Sequence, residues 1–80
     1  METILVVNAG SSSLKFQVFG IDAGELSCVV KGQIDGIGTR PRLRADGSDG
    51  KRLIDQTYNV AQISDLPSAT RTAGEWLRTL

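Results

Sequence analysis

The chain has 80 residues with nine basic and nine acidic side chains, so its formal net charge at pH 7 is zero. Leu, Ile, Val and Phe make up more than a quarter of the residues, which is the composition of a folded chain. A neutral chain has no electrostatic reason to bind nucleic acid or an anionic membrane. Its longest apolar run has four residues, too few for a membrane-spanning helix or a signal peptide, and this predicts a cytoplasmic protein.

Histidine and cysteine usage limits the chemistry of these residues. The absence of histidine excludes a Ser-His-Asp triad and an imidazole base within the 80 residues. Cys28 is the single cysteine, which excludes an internal disulfide, and its apolar neighbours predict a buried side chain. A metal site would therefore use oxygen ligands, which favours magnesium or calcium.

The first part of the chain contains three segments with strand patterns. Residues 3–7 include a continuous apolar run, typical of a central strand that is covered on both faces. Residues 14–19 and 26–34 alternate between apolar and other side chains, and residues 22–25 have the composition of a turn. This part of the chain predicts an antiparallel meander of three strands.

A second hairpin is predicted after the glycine-rich loop at 35–39. Residues 41–45 form its first strand, and the proline at position 41 indicates a sheet edge. A turn at 46–50 leads to a returning strand over 52–58. Alternating arginines are expected on one solvated face of this edge: Arg40, Arg42 and Arg44.

The apolar period becomes helical from Asp65 onward, and the helix completes the order β-β-β-β-β-α. Ser64 or Asp65 is the expected cap, and Pro67 fits the first turn. The apolar face is expected to contain Ala69, Ala73, Trp76, Leu77 and Leu80, with Trp76 as a core anchor. One helix cannot cover both faces of a central strand, so we expect residues beyond Leu80 to belong to the working protein.

The segment between the first two strands contains the parts of a phosphate site. The candidate residues are Asn8, Gly10, Ser11, Ser12, Ser13 and Lys15. Gly10 allows a positive φ and close approach of a ligand, and the peptide N–H groups and serine hydroxyls can donate to an anion. Asn8 offers an oxygen to a hydrated cation, and Lys15 adds a positive charge. The same residues suit an ordinary hairpin turn, and their spacing is not that of a Walker A loop.

The uninterrupted string of residues 7–16, Val-Asn-Ala-Gly-Ser-Ser-Ser-Leu-Lys-Phe, resembles the N-terminal signature of the acetate kinase family. That family belongs to the superfamily of sugar kinases, Hsp70 and actin. The resemblance implies an α/β fold of the ribonuclease H-like type. Residues 1–80 would be the N-terminal portion of its first domain, with the rest of the enzyme after Leu80.

The resemblance also implies a role for each matched residue. Asn8 would contact the catalytic magnesium ion, and Lys15 would neutralise the phosphates of ATP. The backbone from Gly10 onward, with Ser11 and Ser13, would hold the phosphoryl group that is transferred. The implied reaction is magnesium-dependent phosphoryl transfer between ATP and acetate, which gives ADP and acetyl phosphate, in a cytoplasmic homodimer.

No catalytic residue is expected within residues 1–80, because the family's two arginines, histidine and aspartate match nothing here. The chain alone is therefore expected to be inactive. Two alternatives remain open at this point. One is a propionate or butyrate kinase of the same family, and the other is a free-standing β-rich module that binds a partner through its sheet edges.

Overall fold

A computed structural model describes residues 2–80 of the chain. It contains one α-helix and five strands, with these bounds: β1 Glu2–Ala9, β2 Leu14–Asp22, β3 Glu25–Asp35, β4 Arg42–Gly47, β5 Arg52–Thr57 and α1 Leu66–Leu77. All neighbouring strands are antiparallel and follow one another in chain order. The predicted order β-β-β-β-β-α is confirmed, and the two predicted hairpins join into one sheet through the pairing of β3 with β4.

The core lies between α1 and one face of the sheet. Phe16 of β2 is 2% exposed and pairs with Gly32 of β3, which in turn pairs with Ala45 of β4. A side chain at Gly32 would overlap the Phe16 ring, so this glycine makes room for the largest buried residue of the sheet. The Trp76 ring lies 6.3 Å from the Phe16 ring, which confirms Trp76 as a core anchor.

β1 does not lie in the centre of this sheet, so the predicted burial of residues 3–7 is wrong for the described part of the chain. It pairs with β2 alone and forms an edge. All eight of its residues are exposed, including the four consecutive aliphatic side chains: Ile4, Leu5, Val6 and Val7. The meander places the first strand outermost, and neither face of β1 is covered.

The prediction of an edge strand at residues 41–45 is also wrong. β4 lies between β3 and β5, and Pro41 precedes the strand instead of occupying it. Arg40 lies in the preceding loop, so only two of the three arginines belong to the strand. Their side chains form ion pairs, Arg42 with Asp55 at 2.7 Å and Arg44 with Asp35 at 2.6 Å.

A β-bulge changes the face on which Cys28 lies. Val18 pairs with Val30, but the next residue, Phe19, pairs with Cys28, so Val29 is the extra residue in β3. Cys28 therefore lies opposite the core face that Val30 occupies. Its side chain is half-buried, which corrects the predicted full burial.

The helix begins as predicted and ends earlier. Asp65 is the N-cap: its Oδ1 accepts a 3.0 Å hydrogen bond from the Ser68 N–H, while the Asp65 N–H donates to Ser68 Oγ. Ala69 and Ala73 are buried against the sheet, but Leu80 lies beyond the helix and is exposed, contrary to prediction. No helix within residues 2–80 is long and apolar enough to cross a membrane.

Candidate functional site

The candidate site begins at the turn between β1 and β2, where residues 10–13 connect the strands. The Gly10 N–H donates a 2.8 Å hydrogen bond to the Ser13 carbonyl, which closes the turn. Gly10 does not adopt the positive φ that its lack of a side chain allows. A Cβ at this position would lie 3.0 Å from Ser13 Oγ, a close contact that rotation of the serine side chain can relieve.

Asn8 and Lys15 are brought together by the strand register. They are direct partners across β1 and β2, and cross-strand partners project from the same face of a sheet. Both line a cavity of about 550 Å³ on the face opposite the helix. Gln17 lines the same cavity, as predicted from its alternation with Lys15.

The serines form the tip of the hairpin beside this cavity rather than its wall. Ser11 and Ser12 are exposed, and Ser13 is half-buried. Within residues 2–80, the N–H groups of these three serines donate to no protein acceptor. Three free peptide donors and three hydroxyls at one turn form a group that can bind an anion.

The wall of the cavity is rich in positive charge. Besides Lys15, it contains three basic side chains, Lys31, Arg44 and Arg52, together with the carboxylate of Asp46. Sequence reasoning placed Arg44 on a solvated face but assigned none of these three residues to the site, because only the pairing of separate strands brings them beside Lys15. The buried Nε of Arg44 has no hydrogen-bond partner among the described residues, so a donor remains free there.

Ion pairs neutralise most of the charge where this face is formed by β4 and β5. Arg42 donates two hydrogen bonds to Asp55, and these bonds lower the pKa of the Asp55 carboxyl and raise that of the guanidinium. Arg52 is paired with Asp46 as well as with Asp55. The carboxylates are thus occupied by arginines, whereas neither Lys15 nor Lys31 forms a salt bridge with any residue from 2 to 80.

The described residues contain no group of three or more His, Cys, Asp or Glu side chains that could hold a metal ion. Asn8 supplies a neutral amide oxygen at the wall of the cavity. Magnesium commonly keeps several waters and is bound by substrate phosphates together with one or two carboxylates. The Asn8 amide alone would supply one neutral oxygen, so the phosphates and water would have to supply the other ligands of a metal ion here.

Comparison with known proteins gives a consistent result. The chain is 59% identical over its 80 residues to the acetate kinase of Rhizobium meliloti and 57% identical over 79 residues to that of Nitrobacter hamburgensis. It is 44% identical over 66 residues to the propionate kinase of Yersinia enterocolitica, a match that covers 79% of the chain. No family model and no solved structure matches the chain.

These matches place the chain among sequences related to acetate and propionate kinases. The resemblance to the acetate kinase family is confirmed, and the chain is related to these enzymes over its whole length. The chain spans about a fifth of the length of the two acetate kinases that it matches.

Proposed function

We propose that this chain is the part of an acetate kinase that binds the phosphates of ATP. The observation that carries the proposal is the pairing of Asn8 with Lys15 on one face, directly below a serine tip with free donors. The matches to two acetate kinases favour this enzyme over a free-standing interaction module.

Phosphoryl transfer needs positioning and charge stabilisation more than covalent chemistry from the protein. An acetate oxygen forms a bond to the γ-phosphorus while the bond from that phosphorus to ADP breaks, and ADP leaves with the electron pair. The N–H groups and hydroxyls of Ser11, Ser12 and Ser13 would hold the equatorial oxygens, on which negative charge is spread. Lys15 would balance the charge of the neighbouring phosphates.

Asn8 would hold the metal ion of the nucleotide through its amide oxygen. Mg²⁺ is the ion we propose, because it is bound mainly by substrate phosphates and water and needs few protein ligands. When bound, it neutralises charge on the phosphate oxygens. Asn8 orients that oxygen from a regular strand, which is a more rigid support than the turn itself.

We also propose that residues 1–80 are the N-terminal portion of the first domain of this enzyme, with a ribonuclease H-like fold. Support comes from β1, whose aliphatic side chains are exposed on both faces. Leu5 and Val7 line a cavity of about 470 Å³ beside α1, which further chain could fill. The carboxylate and adenosine sites would lie in the four fifths of the enzyme that the chain does not match. The cytoplasmic location and the homodimer remain predictions.

A chimeric enzyme tests the proposal. The segment of the Rhizobium meliloti acetate kinase that matches this chain is replaced by the chain, and acetyl phosphate formation from ATP and acetate is measured. We expect an active chimera, whereas the 80-residue chain alone forms no acetyl phosphate. Asn8→Ala or Lys15→Gln in the chimera is expected to lower kcat/KM by about tenfold or more, the effect of one charge-assisted hydrogen bond.

Lys51→Gln is the matched control, because Lys51 is an exposed lysine in the turn between β4 and β5, at the other end of the sheet. This variant is expected to keep the kcat/KM of the unmodified chimera. Retention of the unmodified value by both the Asn8 and the Lys15 variants would show that the proposed phosphate contacts are wrong.

We propose acetate rather than propionate as the acyl substrate, because sequence identity to the acetate kinases is higher and extends over more of the chain. Butyrate is a weaker alternative, since none of the three matched relatives is named for it. Purified whole enzyme assayed with the three acids at equal concentration is expected to give the highest kcat/KM with acetate. A higher value with propionate would reverse this choice.

A further inference from the structure

A second loop is hydrogen-bonded to the serine tip. The loop of residues 36–41 connects β3 to β4 and lies at the same end of the sheet as the turn between β1 and β2, because the strands run antiparallel. The Ile37 N–H donates a 3.1 Å hydrogen bond to the Ser12 carbonyl. Ser12 and Ile37 lie just beyond Leu14 and Ile34, the last pair of β2 and β3, so this bond connects the two loops directly.

The supporting loop is itself held firmly. Ile37 is 8% exposed and belongs to the core cluster. The Gly38 N–H donates a 3.3 Å hydrogen bond to the carbonyl of Ile63, a residue without exposed surface that precedes the helix. Thr39 donates to the Gly36 carbonyl through both its N–H and its hydroxyl. The loop therefore connects the serine tip to the core and to the start of α1.

Glycine is required at two positions in this loop. Gly36 has φ +66° and Gly38 has φ +85°, values that side chains rarely adopt. A Cβ at Gly36 would overlap the Arg40 carbonyl, and one at Gly38 would lie 3.3 Å from the Ser64 carbonyl. The conformation that aims the Ile37 N–H at Ser12 thus depends on both glycines.

We propose that residues 36–39 are a positioning element for phosphate binding, which acts by holding the Ser12 peptide in the orientation that leaves the serine N–H groups free. This role rests on the proposed function of the serine tip. Residues 36–39 do not contact the phosphate themselves. Their effect reaches the ligand through the hydrogen bond between Ile37 and Ser12.

The experiment compares Gly38→Ala with glycine substitutions elsewhere. Gly24 and Gly50 each have φ +79°, and a Cβ at either would meet nothing within 4 Å. Both lie in turns at the opposite end of the sheet, so Gly24→Ala and Gly50→Ala introduce similar backbone strain away from the site. The chimeric enzyme described above is titrated with magnesium pyrophosphate and followed by NMR, and stability is measured by urea unfolding.

Gly38→Ala is expected to raise the dissociation constant for pyrophosphate by about threefold to tenfold, the range that one hydrogen bond carries. It is also expected to shift the amide signals of Ser11, Ser12 and Ser13. The two control variants should lose stability without either change. Equal effects on binding in all three variants would overturn the proposal.

Thr39→Val provides a milder perturbation if Gly38→Ala does not fold. It removes the exposed hydroxyl bond to Gly36, and its control is Thr79→Val, which removes a similar bond at the end of the helix. Amide shifts at Ser12 in the first variant alone would support the proposal, and no shift would refute it. If the unmodified chimera binds no pyrophosphate, the proposed function fails, and the amide shifts still decide the positioning role.

Discussion

Phe16→Ala is expected to destabilise the chain severely. Phe16 is 2% exposed, packs over Gly32 and lies 6.3 Å from the Trp76 ring, so its removal leaves a cavity between the sheet and α1. Truncation of a buried phenylalanine costs about 3–5 kcal/mol. The whole stability of an 80-residue domain is about 4–12 kcal/mol. The substitution therefore removes a large share of the free energy of unfolding.

Urea unfolding followed by Trp76 fluorescence measures this effect. The control is Phe19→Ala, because Phe19 lies in the same strand, projects from the other face and is half-buried. Its loss is expected to cost about 1–2 kcal/mol, within the usual range for single substitutions. Equal losses for Phe16→Ala and Phe19→Ala would refute the assignment of the core to the helix-covered face.

Three further outcomes are expected. The hydrogen bond from the Ser68 N–H lowers the pKa of Asp65 below its ordinary value of 3.8. The free energy of unfolding therefore falls as the pH drops below that value. Asp65→Asn is expected to weaken this acid dependence, measured by urea unfolding at several pH values. Gly36→Ala is expected to destabilise the chain more than Gly24→Ala in thermal unfolding, because only the former adds a clash to the backbone strain. Leu5→Lys, on the exposed edge, is expected to reduce self-association in light scattering without loss of stability.

Local sequence patterns predicted most of the secondary structure because they act over a few residues. The alternation that begins at Leu14 and the cap at Asp65 both correspond to observed elements. The place of each strand in the sheet depends on distant pairing, which explains the errors at β1 and β4. The bulge at Val29 carries no local signal, and it reversed the expected face of Cys28.

The candidate site divides in the same way. Residues 8–15 form one hairpin, so their proximity could be predicted from the sequence, and the structure pairs Asn8 with Lys15. Lys31 and Arg44 join that face through the registers of β2, β3 and β4, which no motif specifies. The hydrogen bond from Ile37 to Ser12 is equally distant in sequence and required the structure.

The two edge strands of the sheet differ in how readily another strand can pair with them. The outer strand β5 carries Arg52 and Asp55, charges that discourage pairing with another strand. The outer strand β1 carries one charge, Glu2, and a regular row of aliphatic side chains without a bulge. A further strand could therefore pair with β1 more readily than with β5, and it would then lie next to Asn8 and the candidate site.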